Sequence, residues 1–161
     1  MSIVGETQRR EERSEDEQER LNRQMMELLN ELRVAMPGVQ VLFGFLLTVP
    51  FQQRFRQVTE FQETVYFVTL VSSAVAAAFL IAPSAYHRVM FEQHDKPNVI
   101  HIGTAQMLVG LAALGIAMNG AVLLVTDVLF EAGTVTVTIT LLGALYFTLW
   151  FGFGIVRRLR K

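Results

Sequence analysis

The sequence predicts an all-α protein: a four-helix transmembrane bundle preceded by an amphipathic helix on the cytoplasmic side. Three observations carry that prediction. Four long apolar runs follow one another, over residues 34–51, 64–82, 102–125 and 134–156. A helix that crosses about 30 Å of hydrocarbon needs about 20 such residues. The charge is also segregated, since residues 1–33 hold six of the 14 basic and nine of the 15 acidic residues, and most of the others sit in short clusters between the runs. Finally, a chain of 161 residues cannot enclose four helices that are apolar all round, because a helix in a soluble protein keeps one polar face.

Residues 1–13 are strongly hydrophilic and are expected to lack fixed structure. Ser14 followed by Glu17 is a capping-box pair, which starts a helix near Glu15 and sets residues 14–33 apart as a cytoplasmic amphipathic helix. Asp16 with Arg20 and Glu19 with Arg23 add weak i,i+4 support. Leu21, Met25, Leu28 and Leu32, with Leu29 alongside, make an apolar stripe about three turns long. Such a stripe can lie on a membrane surface, pack on its own bundle or pair with a second subunit. Glu27 and Glu31 beside Arg23 and Arg33 give no strong attraction to anionic lipid. Two heptads are too few for a coiled coil, so its own bundle is the plainest partner. This hydrophilic start also lacks the pattern of a cleavable signal, so the spans are expected to be internal and retained.

The first span, 34–51, contains Pro37-Gly38, a pair expected to kink or break the helix. The second, 64–82, is expected to end at Pro83. The third, 102–125, is the most hydrophobic, and the fourth, 134–156, stops at the basic cluster Arg157-Arg158-Leu159-Arg160-Lys161. Thr134 to Thr140 alternates with a period of two, like a strand. The runs as a whole are continuous, which argues against a β-barrel, and in a helix these threonines can bond back to the preceding turn's carbonyls. Basic residues set the orientation. Arg20, Arg23 and Arg33 precede the first span, Arg88 and Lys96 follow the second, and the third-to-fourth connection has only Asp127 and Glu131. Both termini are therefore expected in the cytoplasm, with Arg54 and Arg56 as the dissenting residues.

The chain has no cysteine, which excludes disulfides and thiol chemistry, and its balanced charge gives no stripe for nucleic acid. No run carries a charge near its middle, where a proton-coupled carrier normally keeps a titratable group. The in-span polar residues Gln40, Gln106 and Asn119, with the Pro37-Gly38 break, form one candidate set for a polar pathway. The competing reading is a proline kink and interhelical glue, shared by Ser72 and Ser73. Small residues four apart at Ser73/Ala77, Ala74/Ala78, Ala113/Ala117 and Ala117/Ala121 allow close helix approach. The second-to-third connection gathers Tyr86, His87, Arg88, His94 and His101. The histidines fall seven apart, but Pro97 interrupts a shared helix. The cluster reads as an interfacial anchor with pH-sensing potential, not as a metal site. No nucleophile with its base, phosphate loop or paired carboxylates appears, so neither an enzyme nor a cofactor is expected.

Three stretches carry a resemblance: Glu31-Leu32-Arg33 leading into Gly38-Val39-Gln40-Val41-Leu42-Phe43 and on to Pro50-Phe51 with Arg54-Phe55; Phe61 through Tyr66; and Ala82-Pro83 with His87-Arg88. Over residues ~20–158 the chain resembles an uncharacterised actinobacterial family of small four-helix membrane proteins. Some members of that family carry the label sodium/proton antiporter, which fits poorly with spans that lack a central carboxylate. The resemblance implies a bacterial cytoplasmic membrane and a shared architecture, and no catalytic residues. The expected function is a small structural or regulatory bundle, partnered by the lipid bilayer and by copies of itself. The alternative is an ion channel or cation/proton transporter subunit.

Overall fold

The computed structural model describes residues 3–89, 96–152 and 156. It is helical throughout its ordered elements. Helix α1 covers Ile3–Thr48, α2 Glu60–Val89, α3 Lys96–Leu129 and α4 Ala132–Phe147, which runs on into one wider π-type turn over Thr148–Gly152. Two short 3-10 turns, Val49–Phe51 and Gln53–Gln57, connect α1 to α2. The segments Glu19–Phe51, Glu60–Tyr86, Ile100–Leu129 and Ala132–Gly152 are long and apolar enough to cross a membrane.

Helix α1 departs most from expectation. It is one helix of 46 residues that begins in the segment expected to be unstructured and passes through Pro37 and Gly38 without a break. The first part is rich in Glu, Arg and Gln, all strong helix formers. Through the proline, a single stripe keeps its phase. Leu21, Met25, Leu28, Leu32, Ala35, Val39, Leu42 and Leu46 recur at alternating steps of four and three, and all are buried or half-buried. Pro37 falls on the exposed side of this stripe, so the bond it removes does not disturb the packed face. The amphipathic segment therefore packs on its own bundle. After Thr48, α1 gives way to a 3-10 turn, because Pro50 has no N–H to donate to the Leu46 carbonyl.

Helix α2 likewise does not stop at Pro83. It carries on to Val89, with Pro83 buried against α3. A Cβ on Gly103 would stand 3.4 Å from Pro83 Cβ and 3.6 Å from Leu28 Cδ2, which places α1, α2 and α3 together at that level. Pro97, expected to interrupt a helix, is the second residue of α3, where the missing N–H costs nothing.

Neighbouring helices are antiparallel. Pro83 lies against Gly103, Leu80 against Gly110 and Thr69 against Gly120. The α2–α3 contact is the most extensive in the molecule, with α1 laid across both. Leu28, Leu32, Val39, Ala76, Leu80, Ala113 and Leu114 form its centre. Ser73, Ala113 and Ala117 of the small-residue pairs are spent inside this core, while Ala74 and Ala78 face outwards. Among the described residues, the α4 backbone comes close to α3 alone.

The distribution of polarity is that of a protein in lipid. Val41, Phe45, Phe67, Val71, Val75, Ile116, Val137 and Leu141 are exposed, whereas Thr69 and Ser73 are buried. Hydroxyls at membrane depth bond back along their own helices: Thr69 Oγ1 to the Val65 carbonyl (2.7 Å), Ser73 Oγ to Leu70 (2.8 Å) and Thr136 Oγ1 to Ala132 (2.8 Å). In hydrocarbon there is no water to satisfy them otherwise. This also explains why the alternating threonines are comfortable in α4.

Candidate functional site

The positions singled out for a polar pathway do not converge. Pro37, Gly38 and Gln40 lie on the exposed side of α1. Gln106 and Asn119 both belong to α3, about 20 Å apart along its axis at 1.5 Å per residue. Asn119 Nδ2 donates to the Ile139 carbonyl of α4 at 3.3 Å, and Gly143 makes room for it, since a Cβ there would stand 3.1 Å from that nitrogen. Asn119 is thus the polar clasp of α4 on α3. Its Oδ1, like Gln106 Oε1, is buried and unpaired among the described residues.

The interfacial cluster sits at the end of the bundle opposite the α1–α2 turns. Tyr86 is half-buried, and Arg88 and His101 are exposed on the adjoining ends of α2 and α3. The side chain of His87 and the whole of His94 lie outside the described residues.

The more developed site is at the other end, formed by the α1–α2 turns and the end of α3. It begins with a capping box that the sequence reading passed over. The Thr59 N–H donates to Gln62 Oε1 at 3.1 Å, and the Gln62 N–H donates to Thr59 Oγ1 at 3.2 Å. Because Oε1 is committed to the cap, Nε2 of the same amide is fixed as the outward donor. It donates to Asp127 Oδ2 at 2.8 Å, across 65 residues of chain. A local helix-start motif on α2 thereby orients the carboxylate on α3. One turn further along α2, the buried Tyr66 hydroxyl donates to the Leu46 carbonyl at 3.0 Å, near the end of α1. The Phe55 ring meets Tyr66 edge-on, with centroids 5.0 Å apart, and holds the connecting turn down.

These contacts frame a cavity of about 630 Å³. Its walls are chiefly apolar: Phe45 and Leu46 from α1, Val49, Phe55 and Val58 from the connection to α2, and Ala121, Leu124, Val125, Val128 and Leu129 from α3. Gln52, Gln57, Thr59, Gln62 and Asp127 supply the polar part. A concave apolar space of a few hundred Å³ with a few convergent polar groups is the usual form of a small-molecule site. Both signals for it stood in the sequence, as Thr59-x-x-Gln62 and as Asp127 at the end of a span, but no periodicity shows that residues so far apart meet.

No curated protein and no solved structure matches the chain. The sequence model of a family of unknown function (DUF6328) does match, over residues 14–154, from the amphipathic part of α1 to beyond the last turn of α4. With four helices long and apolar enough to span a bilayer, this multi-pass membrane protein belongs to that family of unknown function.

Proposed function

We propose that this protein is a structural or regulatory component of a bacterial cytoplasmic membrane, with both termini in the cytoplasm, that works as a homo-oligomer and catalyses no reaction. The observation that carries this reading is the position of α4. Helices α1 to α3 pack closely on one another, whereas among the described residues α4 is held by α3 alone and leaves most of its surface uncovered. Along that surface, Ala132, Thr136, Thr140, Ala144 and Thr148 follow at steps of four, all exposed. Small residues at this spacing let a second helix approach closely enough for backbone contact, which drives association where lipid supplies no hydrophobic force. Antiparallel neighbours bring α1's start and α4's end to one face of the membrane, and the basic residues flanking the spans favour the cytoplasm for that face.

Polar groups in the spans support a scaffold over a conduit. Thr69, Ser73, Tyr66 and Asn119 spend their donors on backbone carbonyls, and Gln40 faces outwards. Mass measurement in lipid nanodiscs tests the reading. Oligomers are expected for the native chain, and a shift to monomer for the Thr140→Ile/Ala144→Ile double variant. A native chain that is strictly monomeric, or sodium, potassium or proton flux in liposomes, would overturn it.

A further inference from the structure

We propose that the cavity between the α1–α2 turns and the end of α3 binds an amphiphile with a primary ammonium head, whose charge is taken by Asp127 and whose apolar tail lies between Phe45, Leu124 and Val128. This assignment does not depend on the oligomeric state. Three features of the site select that chemistry. First, Asp127 is the charged residue among the described lining, and it is half-buried in a space whose walls are chiefly apolar. A carboxylate in such a setting gains most from a cation that brings its own apolar surface, because the pair then excludes water. Second, among the described residues Asp127 receives its donor from the Gln62 amide, which is neutral. The bond orients the carboxylate without itself neutralising it, so a ligand N–H finds a preset acceptor. Third, Phe45 and Phe55 both line this space, where an aromatic ring face can attract an ammonium group.

The charges at this end of the molecule agree with a cationic partner. Glu60, Glu63 and Glu131 are exposed near the chain ends of α2 and α3 at this side and join Asp127, against Arg54 and Arg56 in the connecting turns. That balance favours the approach of a cation over an anion. The volume, about 630 Å³, is that of a ligand with a single chain or a compact ring system. The shared chemistry, an ammonium on an apolar body, belongs both to free lipophilic amines and to ethanolamine phospholipids.

The test uses the full chain in phosphatidylglycerol nanodiscs and a 12-carbon primary alkylamine carrying a photoreactive diazirine in its tail. Labelled peptides are mapped after irradiation, with the alcohol of the same length and the alkyl sulfate as controls. Saturable labelling within residues 41–49, at the end of α1 and the turn after it, and within α3 residues 121–129 is expected for the amine and not for the controls. Asp127→Asn keeps a side chain that Gln62 can bond, so the fold persists, and it is expected to lower amine labelling about tenfold. Leu124→Trp keeps the charge, fills the cavity and is expected to abolish labelling. Adding phosphatidylethanolamine to the nanodiscs identifies the source. Competition with the amine assigns the site to the lipid head group, and undiminished labelling assigns it to a free amine. Equal labelling by amine and alcohol, or labelling unchanged in Asp127→Asn, would overturn the proposal.

Discussion

Gly110→Ala is the sharpest test of how α2 and α3 are held together. A Cβ at Gly110 would lie 2.8 Å from Leu80 Cγ, 2.9 Å from Leu80 Cδ2 and 3.3 Å from the Leu80 backbone nitrogen. Carbon atoms in ordinary contact sit about 3.5–4.0 Å apart, so the two helices must part by roughly 0.7 Å or Leu80 must turn. Leu80 has nowhere to turn, being fully buried in the core. Overpacking of this kind costs about 1–3 kcal/mol. In water, replacing a helical glycine by alanine returns up to about 1 kcal/mol of helix propensity. In lipid that return is small, because a separated transmembrane helix stays helical to satisfy its backbone. Gly44→Ala is the matched control, with nothing within 4 Å of the new atom. Thermal unfolding in mild detergent is expected to rank Gly44→Ala with the native chain and Gly110→Ala about 1–3 kcal/mol below both. Leu80→Ala alone leaves a hole and costs about 2–5 kcal/mol. The double variant refills part of that hole, so its loss should fall short of the sum of the single losses. Gly110→Ala melting together with Gly44→Ala, or strict additivity with Leu80→Ala, would refute the packing described here.

Three further outcomes follow from the same geometry. Asn119→Leu removes the donor to Ile139 together with the unpaired Oδ1, so the net loss should be below about 1 kcal/mol. Amide exchange should quicken in α4 and not in α2. Gln62→Ala loses the side-chain acceptor for the Thr59 N–H and the Asp127 contact, and should cost about 1–2 kcal/mol by thermal unfolding. Gln62→Glu instead sets two like charges together between α2 and α3 and should lower the melting temperature below that of the native chain at neutral pH. Leu28→Ala should cost about 2–5 kcal/mol, because Leu28 is in the core against Gly103, whereas Gln40→Leu, on an exposed face, should cost nothing measurable.

The helices were readable because bilayer thickness imposes its length on the chain directly, and the four apolar runs state that length. Their ends were less readable. Pro83 was expected to close the second span, since a proline loses one hydrogen bond in isolation, yet its burial against Gly103 carries α2 two turns further. Pro37 was expected to disturb α1 for the same reason, and its place on the exposed side prevents that. The apolar stripe of residues 21–32 was visible. Its continuation through Val39 to Leu46 was hidden, because inside an apolar run every position is apolar and a seam no longer stands out. In α4 the eye-catching period of two in Thr134–Thr140 masked the period of four that joins Ala132 to Thr148. The cavity was the least legible part. It depends on a contact between Gln62 and Asp127 that only the tertiary fold creates.

The uninterrupted seam of α1 has an energetic consequence. The same register is fastened by two different forces along its length. Around Met25 and Leu28, where Glu27, Glu31 and Arg33 mark the aqueous part, each contact removes hydrocarbon from water. Around Val39 and Leu46 the alternative to a protein neighbour is an acyl chain, so only the quality of fit holds the rod in place. Cooling or urea weakens the first kind of fastening and leaves the second almost untouched. One helix therefore has a grip outside the bilayer that solution conditions can loosen, and a grip inside it that they cannot.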